Sequence, residues 1–163
     1  MDGDLEHAGG ALVLGIGNTL LSDEGAGVHA LRALEAAMGA RPGLSFLDGG
    51  TLSFTLAGPI ADCDALLVLD TAQLHAEPGT LRVFEGAEMD AFLTTGPKTS
   101  VHEVSLMEVL GMARIQDRLP QRRALVGVQP GSLDWGMTPT EAVSAALPRM
   151  AALARAKLEA WGL

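Results

Sequence analysis

Three side chains of this sequence, Glu24, Asp70 and His102, are suited to hold one divalent metal ion. Two oxygen donors and one imidazole fit a first-row ion and leave coordination positions open. Each residue alone has an ordinary structural role. A glutamate in the first turn of a helix complements the helix dipole. An aspartate after a buried strand can hydrogen-bond a loop. His102, in Ser100-Val101-His102-Glu103, can be a bystander beside a Ser100 helix cap. Together they gain weight, because all three fall where strands or helices meet one sheet edge. Glu24 follows the first strand, Asp70 follows the third, and His102 opens a later helix.

Other chemistries find less support. Cys63 has no CxxC partner and precedes a buried strand, so it reads as packing rather than as a nucleophile. Serines 22, 53, 100, 105, 132 and 144 stand in no G-x-S-x-G elbow. No H-E-x-x-H occurs. Gly15-Ile16-Gly17 after a strand begins like a dinucleotide fingerprint, but Leu20 takes the third glycine position. Asp23 and Glu24 there would repel a pyrophosphate, and the glycines serve a tight turn instead. Asp23 reads as a helix N-cap. The other histidines have weaker claims: His7 is in the tail, His29 lies beside the apolar face of the first helix, and His75 is in a loop.

The elements that must position these groups follow from the hydrophobic pattern. Residues 1–10 form a flexible tail, and 11–163 form one domain. Leu12–Ile16 is an uninterrupted apolar run, as in a strand buried on both faces. A helix spans Glu24–Met38, with Val28, Leu31, Leu34 and Met38 inward and Gly39 as C-cap. Leu44–Leu47 is a second strand, and Thr51 caps a short helix reaching Ile60. Ala65–Leu69 is a third strand. The link 71–80 is too short for a helical crossover, so Thr80–Phe84 is an antiparallel edge strand. Residues 86–101 show no periodicity and read as a loop. A helix over Glu103–Met112 turns Val104, Met107, Leu110 and Gly111 inward. Ala124–Val128 is a fifth strand. Thr138-Pro139-Thr140-Glu141 has a capping-box pattern with Pro at the first helical position, and the helix behind it reaches Ala160, kinked or restarted at Pro148. The order predicts a three-layer α/β/α sandwich around a mostly parallel five-stranded sheet. Ligands of such sheets bind beyond the carboxyl ends of the strands.

Composition narrows the partners. The 163 residues are 48% hydrophobic with a net charge of −9. Nucleic acids and anionic membranes attract basic surfaces, so neither is the expected partner. No apolar run nears the roughly 18–20 residues of a membrane span. The acidic N-terminus has no signal-peptide pattern, and the single cysteine cannot form an internal disulfide. The expected location is cytoplasmic.

Across about residues 12–147 the sequence resembles the hydrogenase maturation endopeptidases of nickel–iron hydrogenases. The resemblance rests on Gly15-Ile16-Gly17-Asn18 with Leu20, Asp23-Glu24-Gly25, Asp48-Gly49-Gly50-Thr51, and Asp64 through Asp70. Pro78-Gly79-Thr80, Ser100-Val101-His102-Glu103 and Leu125-Val126-Gly127-Val128-Gln129-Pro130 complete it. The last two segments are most similar to the branch serving membrane-bound uptake hydrogenases. The resemblance implies removal of a C-terminal extension from the hydrogenase large-subunit precursor after nickel insertion. It puts the nickel contacts on Glu24, Asp70 and His102. Nickel is then a feature of the substrate precursor rather than a resident cofactor. Asp48, at the end of the second strand, is a candidate base or substrate-aligning group; the resemblance assigns no catalytic residue. A metal-sensing assembly factor that grips the precursor without cutting it is the competing reading, since no nucleophile is recognisable.

Overall fold

The computed structural model describes residues 9–50, 56–95 and 101–163, with the backbone alone at 101–105. Five strands form one sheet: β1 (Ala11–Ile16), β2 (Leu44–Gly50), β3 (Ala65–Thr71), β4 (Leu81–Glu85) and β5 (Arg122–Val128). Their order is β2-β1-β3-β5-β4. Only the β4–β5 pair is antiparallel, and β4 lies at the edge, as the short 71–80 link requires. The central strands read as apolar runs because both faces are covered. All six residues of β1 and the first six of β3 are buried.

Alternation along these strands sorts the core into two layers. Val13, Leu67, Leu69, Val126 and Val128 face helices α1 (Ala26–Met38) and α5 (Glu141–Ala160). Leu12, Leu14, Ile16, Leu66, Val68 and Leu125 face α2 (Ala57–Asp62), α3 (Ala87–Thr95) and α4 (Val101–Ile115). The result is the expected α/β/α sandwich.

The inward face of α1 is the predicted one: Val28, Leu31, Leu34 and Met38 are buried. The helix starts later than predicted, because Ser22–Gly25 form a separate 3₁₀ turn. The N-terminus of α1 presses onto the strand ends. A Cβ on Gly27 would sit 2.2 Å from the Leu69 carbonyl oxygen and 2.4 Å from that of Ile16. Backbone oxygens of two central strands cannot yield cheaply. Gly27→Ala is therefore expected to destabilise the fold by about 1–3 kcal/mol or more, measured by urea denaturation.

Four local expectations change. Residues 87–95, predicted as loop, form α3. Its sequence signal is slight, since only Met89 and Leu93 are buried. Distant partners hold it instead. The Arg123 guanidinium of β5 grips both Asp90 oxygens, Arg114 of α4 adds a contact to Asp90, and Phe92 stacks on Phe84 of β4 at 4.2 Å. On α4 the period is right and the phase is shifted. Leu106, Val109, Leu110 and Ala113 are buried, while Met107 and Gly111 are only half-buried. Helix α5 begins at Glu141 with Thr140 as N-cap and no side-chain cap bond, so the Thr138 capping box does not form. It runs through Pro148 as one element. Finally, Asp23 caps no helix, as described below. Residues 1–8 of the predicted 1–10 tail, the Thr51 cap, the Ser100 cap and the side chain of Val104, predicted inward, lie outside the described residues.

Candidate functional site

The candidate residues are set by backbone geometry at the carboxyl edge of β1 and β3. After β1 the chain turns at Gly17, whose φ is +145°. A side chain there would meet the Glu24 carbonyl oxygen at 1.9 Å, so glycine lets the turn fold back on itself. Asn18 closes this turn by accepting from the Leu20 N–H at Oδ1 and from the Leu21 N–H at its carbonyl. Glu24 then sits in the 3₁₀ turn, half-buried, three residues before the Gly27 contact with Leu69.

Asp70 directly follows Leu69. It is 4% exposed and pairs with Gly127 of β5. Its Oδ1 accepts the Thr71 N–H at 2.7 Å, which fixes the carboxylate plane. Counting alternate residues from Leu66 and Val68 puts Asp70 on the face that α2, α3 and α4 cover.

Residue 102 lies in the first turn of α4. The direction of α4 follows from its exit. The chain leaves Ile115 and enters β5 at Arg122, which pairs with Ala65 at the amino end of β3. Fifteen helical residues span roughly 22 Å, about the length of a seven-residue strand. So α4 starts at the opposite, carboxyl edge, above the face that carries Asp70. The three positions foreseen from sequence thus fall on one sheet edge. The His102 side chain lies outside what is described, and among the described residues no three His, Cys, Asp or Glu side chains form a metal-binding group.

Asp48 of β2 is on the same edge, opposite Gly15 of β1. It is exposed, its Oδ1 accepts the Gly50 N–H, and its Oδ2 lies 3.6 Å from Arg32 of α1. His29 is half-buried on α1; burial and the nearby Arg32 hold its pKa below the usual value. Burial pushes the Cys63 thiol up to about 11, consistent with a packing role. A groove of about 810 Å³ between Pro78–Leu81 and α5 is lined by none of the candidates.

Two residues at this edge do more than their sequence context indicated. Asp23 is 0% exposed, and its carboxylate accepts four hydrogen bonds from the segment that follows β5. Oδ2 takes the N–H groups of Gly131 (2.7 Å) and Ser132 (2.9 Å) and the Thr140 hydroxyl (2.9 Å). Oδ1 takes the Thr140 N–H at 2.6 Å. Burial works to raise its pKa, but these donors outweigh that and hold it below the ordinary value. The neighbouring Ser22 adopts a left-handed φ of 51°. It is held there by its N–H bond to the Gly136 carbonyl and its hydroxyl bond to the Asp134 carbonyl. Gln129, 6% exposed, accepts the Leu74 N–H at 2.6 Å and so ties the 71–80 link to the end of β5. Its sequence signals were a polar residue directly after an apolar strand and its place in the Leu125–Pro130 motif.

Comparison with known proteins identifies the family and the fold. The family model described as hydrogenase maturation protease matches residues 28–157. The hydrogenase expression/formation protein HupD of Rhizobium leguminosarum bv. viciae is 39% identical over 153 residues, covering 93% of this chain and 75% of that protein. The hydrogenase 2 maturation protease of Escherichia coli (strain K12) is 39% identical over 132 residues, 79% of each chain. Among solved structures, the hydrogenase maturating endopeptidase HybD from E. coli superposes with a TM-score of 0.88 at 34% identity, covering 94% of each chain. The [NiFe] hydrogenase maturation protease HybD from Thermococcus kodakarensis does so with 0.76 at 26% identity, covering 90% of this chain and 97% of that one.

Proposed function

The chain belongs to the hydrogenase maturation protease family and is a peptide-bond hydrolase; we propose that its substrate is the large-subunit precursor of a nickel–iron hydrogenase, cut after nickel insertion to release a C-terminal extension. Glu24, Asp70 and His102 contact the nickel already held by the precursor, whose own thiolates complete the coordination. The ion is part of the substrate.

The observation that carries this reading is Asp70. A carboxylate 4% exposed lies in the penultimate position of a central strand, on the face of the helix whose first turn holds residue 102, beside the turn that carries Glu24. A buried carboxylate gains most from a cation that arrives with its own ligands. A nickel-free precursor would bring desolvation without that compensation. Discrimination between the two precursors then comes from differential affinity. Asp48, exposed on the same edge, is the group offered as base or aligning residue.

No helix among the described residues is long and apolar enough to cross a membrane. The proposed setting is the cytoplasm, where a lone protonated thiol such as Cys63 stays reduced.

Equilibrium binding tests the recognition step. Nickel-loaded precursor is expected to bind at least about tenfold more tightly than nickel-free precursor, a difference of about 1.4 kcal/mol. Equal affinities would remove nickel from the recognition mechanism.

A further inference from the structure

The segment after β5 combines two properties that rarely coincide in an exposed loop: its backbone is clamped, and its large side chains are in water. The clamp is the Asp23 carboxylate and the Ser22 bonds described above, together with the Gly136 N–H bond to the Leu20 carbonyl at 2.9 Å and the Asp23 N–H bond to the Ser132 carbonyl at 3.1 Å. On this frame Trp135 is 81% exposed, Met137 75% and Leu133 42%, with Leu20 49% exposed on the partner segment. These are four of the seven large hydrophobic residues exposed among the described residues. They gather on two hydrogen-bonded segments, and one of these leads directly into Glu24.

Resting on the function proposed above, we infer that Leu20, Leu133, Trp135 and Met137 form the surface on which the precursor docks beside its nickel site, held in register with Glu24 by Asp23. A rigid platform loses little conformational entropy on binding, and Trp and Met are well suited to anchor a contact. The occupant is defined by continuity and by charge. The patch shares its backbone bonds with the turn that carries Glu24, so a protein that brings a metal ion to Glu24 passes over it. Residues 18–24 and 129–141 contain no Lys or Arg, while Glu24, Asp134 and Glu141 belong to the same two segments as the apolar residues and give them an acidic rim in sequence. That rim suits a partner surface that is apolar at its centre and carries positive charge around it, the charge of a bound metal ion included. It does not suit an anionic membrane.

The test measures binding and cleavage of nickel-loaded precursor separately, using the full-length protein and the double variant Trp135→Ala/Met137→Ala. Both side chains are exposed, so thermal stability is expected to stay unchanged. The KM and the Kd are expected to rise on the order of 10- to 100-fold, with kcat within about twofold. Ile115→Ala, at the exposed far end of α4, is expected to change neither and controls for general stickiness. Unchanged KM and Kd in a folded double variant that cleaves normally would overturn the platform and leave the proposed function standing. A wild-type protein that binds the precursor but does not cut it would overturn the proposed function, and the variant's Kd would still decide the platform. Failure of the wild-type protein to bind overturns both. Self-association of the wild-type protein abolished in the variant, with KM unchanged, would assign the patch to a second copy of the chain and overturn the inference.

Discussion

Asp70→Asn and His102→Ala each lower processing of a nickel-loaded precursor by on the order of 100-fold or more, while the folded state survives. The reasoning starts from Asp70. Its carboxylate is 4% exposed and held by the Thr71 N–H. Asparagine keeps the shape and the oxygen that accepts that bond, removes the charge, and turns the other oxygen into an amide donor. An isosteric change leaves no cavity, so the packing around Asp70 is kept. A loss of processing in a folded Asp70→Asn variant would therefore report the carboxylate rather than the packing of the side chain. His102 lies in the first turn of α4, on a helix anchored further along by Leu106, Val109, Leu110 and Ala113. Truncation near the start of this helix leaves that anchor in place. Circular dichroism and thermal melting verify the fold, and precursor cleavage is read by intact mass. Wild-type cleavage by either folded variant would mean that the residue is not a metal contact.

Asp23→Ala is the largest expected effect on stability. It leaves the N–H groups of Gly131, Ser132 and Thr140 and the Thr140 hydroxyl without their acceptor. These donors are part-buried, and each hydrogen bond lost to a charged acceptor costs about 1–3 kcal/mol, so four losses that add only in part reach a few kcal/mol. A loss of a few kcal/mol in urea denaturation at neutral pH is expected. The pH dependence supplies a second check. The native pKa of Asp23 is lowered, so its contribution is complete above the unfolded-state value of about 3.9 and disappears as pH falls through the native value. The difference between wild-type and variant should shrink on acidification. Asp90, held below its ordinary pKa by Arg123 and Arg114, adds to the acid sensitivity of both proteins alike. A variant difference that is constant from neutral pH into the acid range would show that the ionised carboxylate is not the clamp.

The residues that sequence reasoning read well are those whose environment is encoded next to them. β1, β3 and β5 are buried on both faces and appear as unbroken apolar runs. The antiparallel edge strand followed from the shortness of one link. Glu24 and Asp70 lie at the ends of adjacent parallel strands, as the strand order predicts, and the direction of α4 puts residue 102 at the same edge. The misreadings share a different cause. α3 has two fully buried side chains and depends on Arg123 and Phe84, both far away in sequence. On α4 the apolar residues are numerous enough to support two phases, and only packing against the sheet selects one. Asp23 before a helix satisfies a local capping rule, yet its partners lie 108 to 117 residues away. The same long-range demand takes the Thr140 hydroxyl and leaves α5 without a side-chain cap.

The central claim is that cleavage is gated by nickel in the precursor, and one experiment addresses it most directly. Large-subunit precursor, nickel-loaded or nickel-free, is mixed with a substoichiometric amount of this protein, and the intact mass is followed over time. The account predicts loss of a C-terminal peptide from the loaded precursor alone, over many turnovers. Equal cleavage of both forms, or a stable complex without any change of mass, would contradict it.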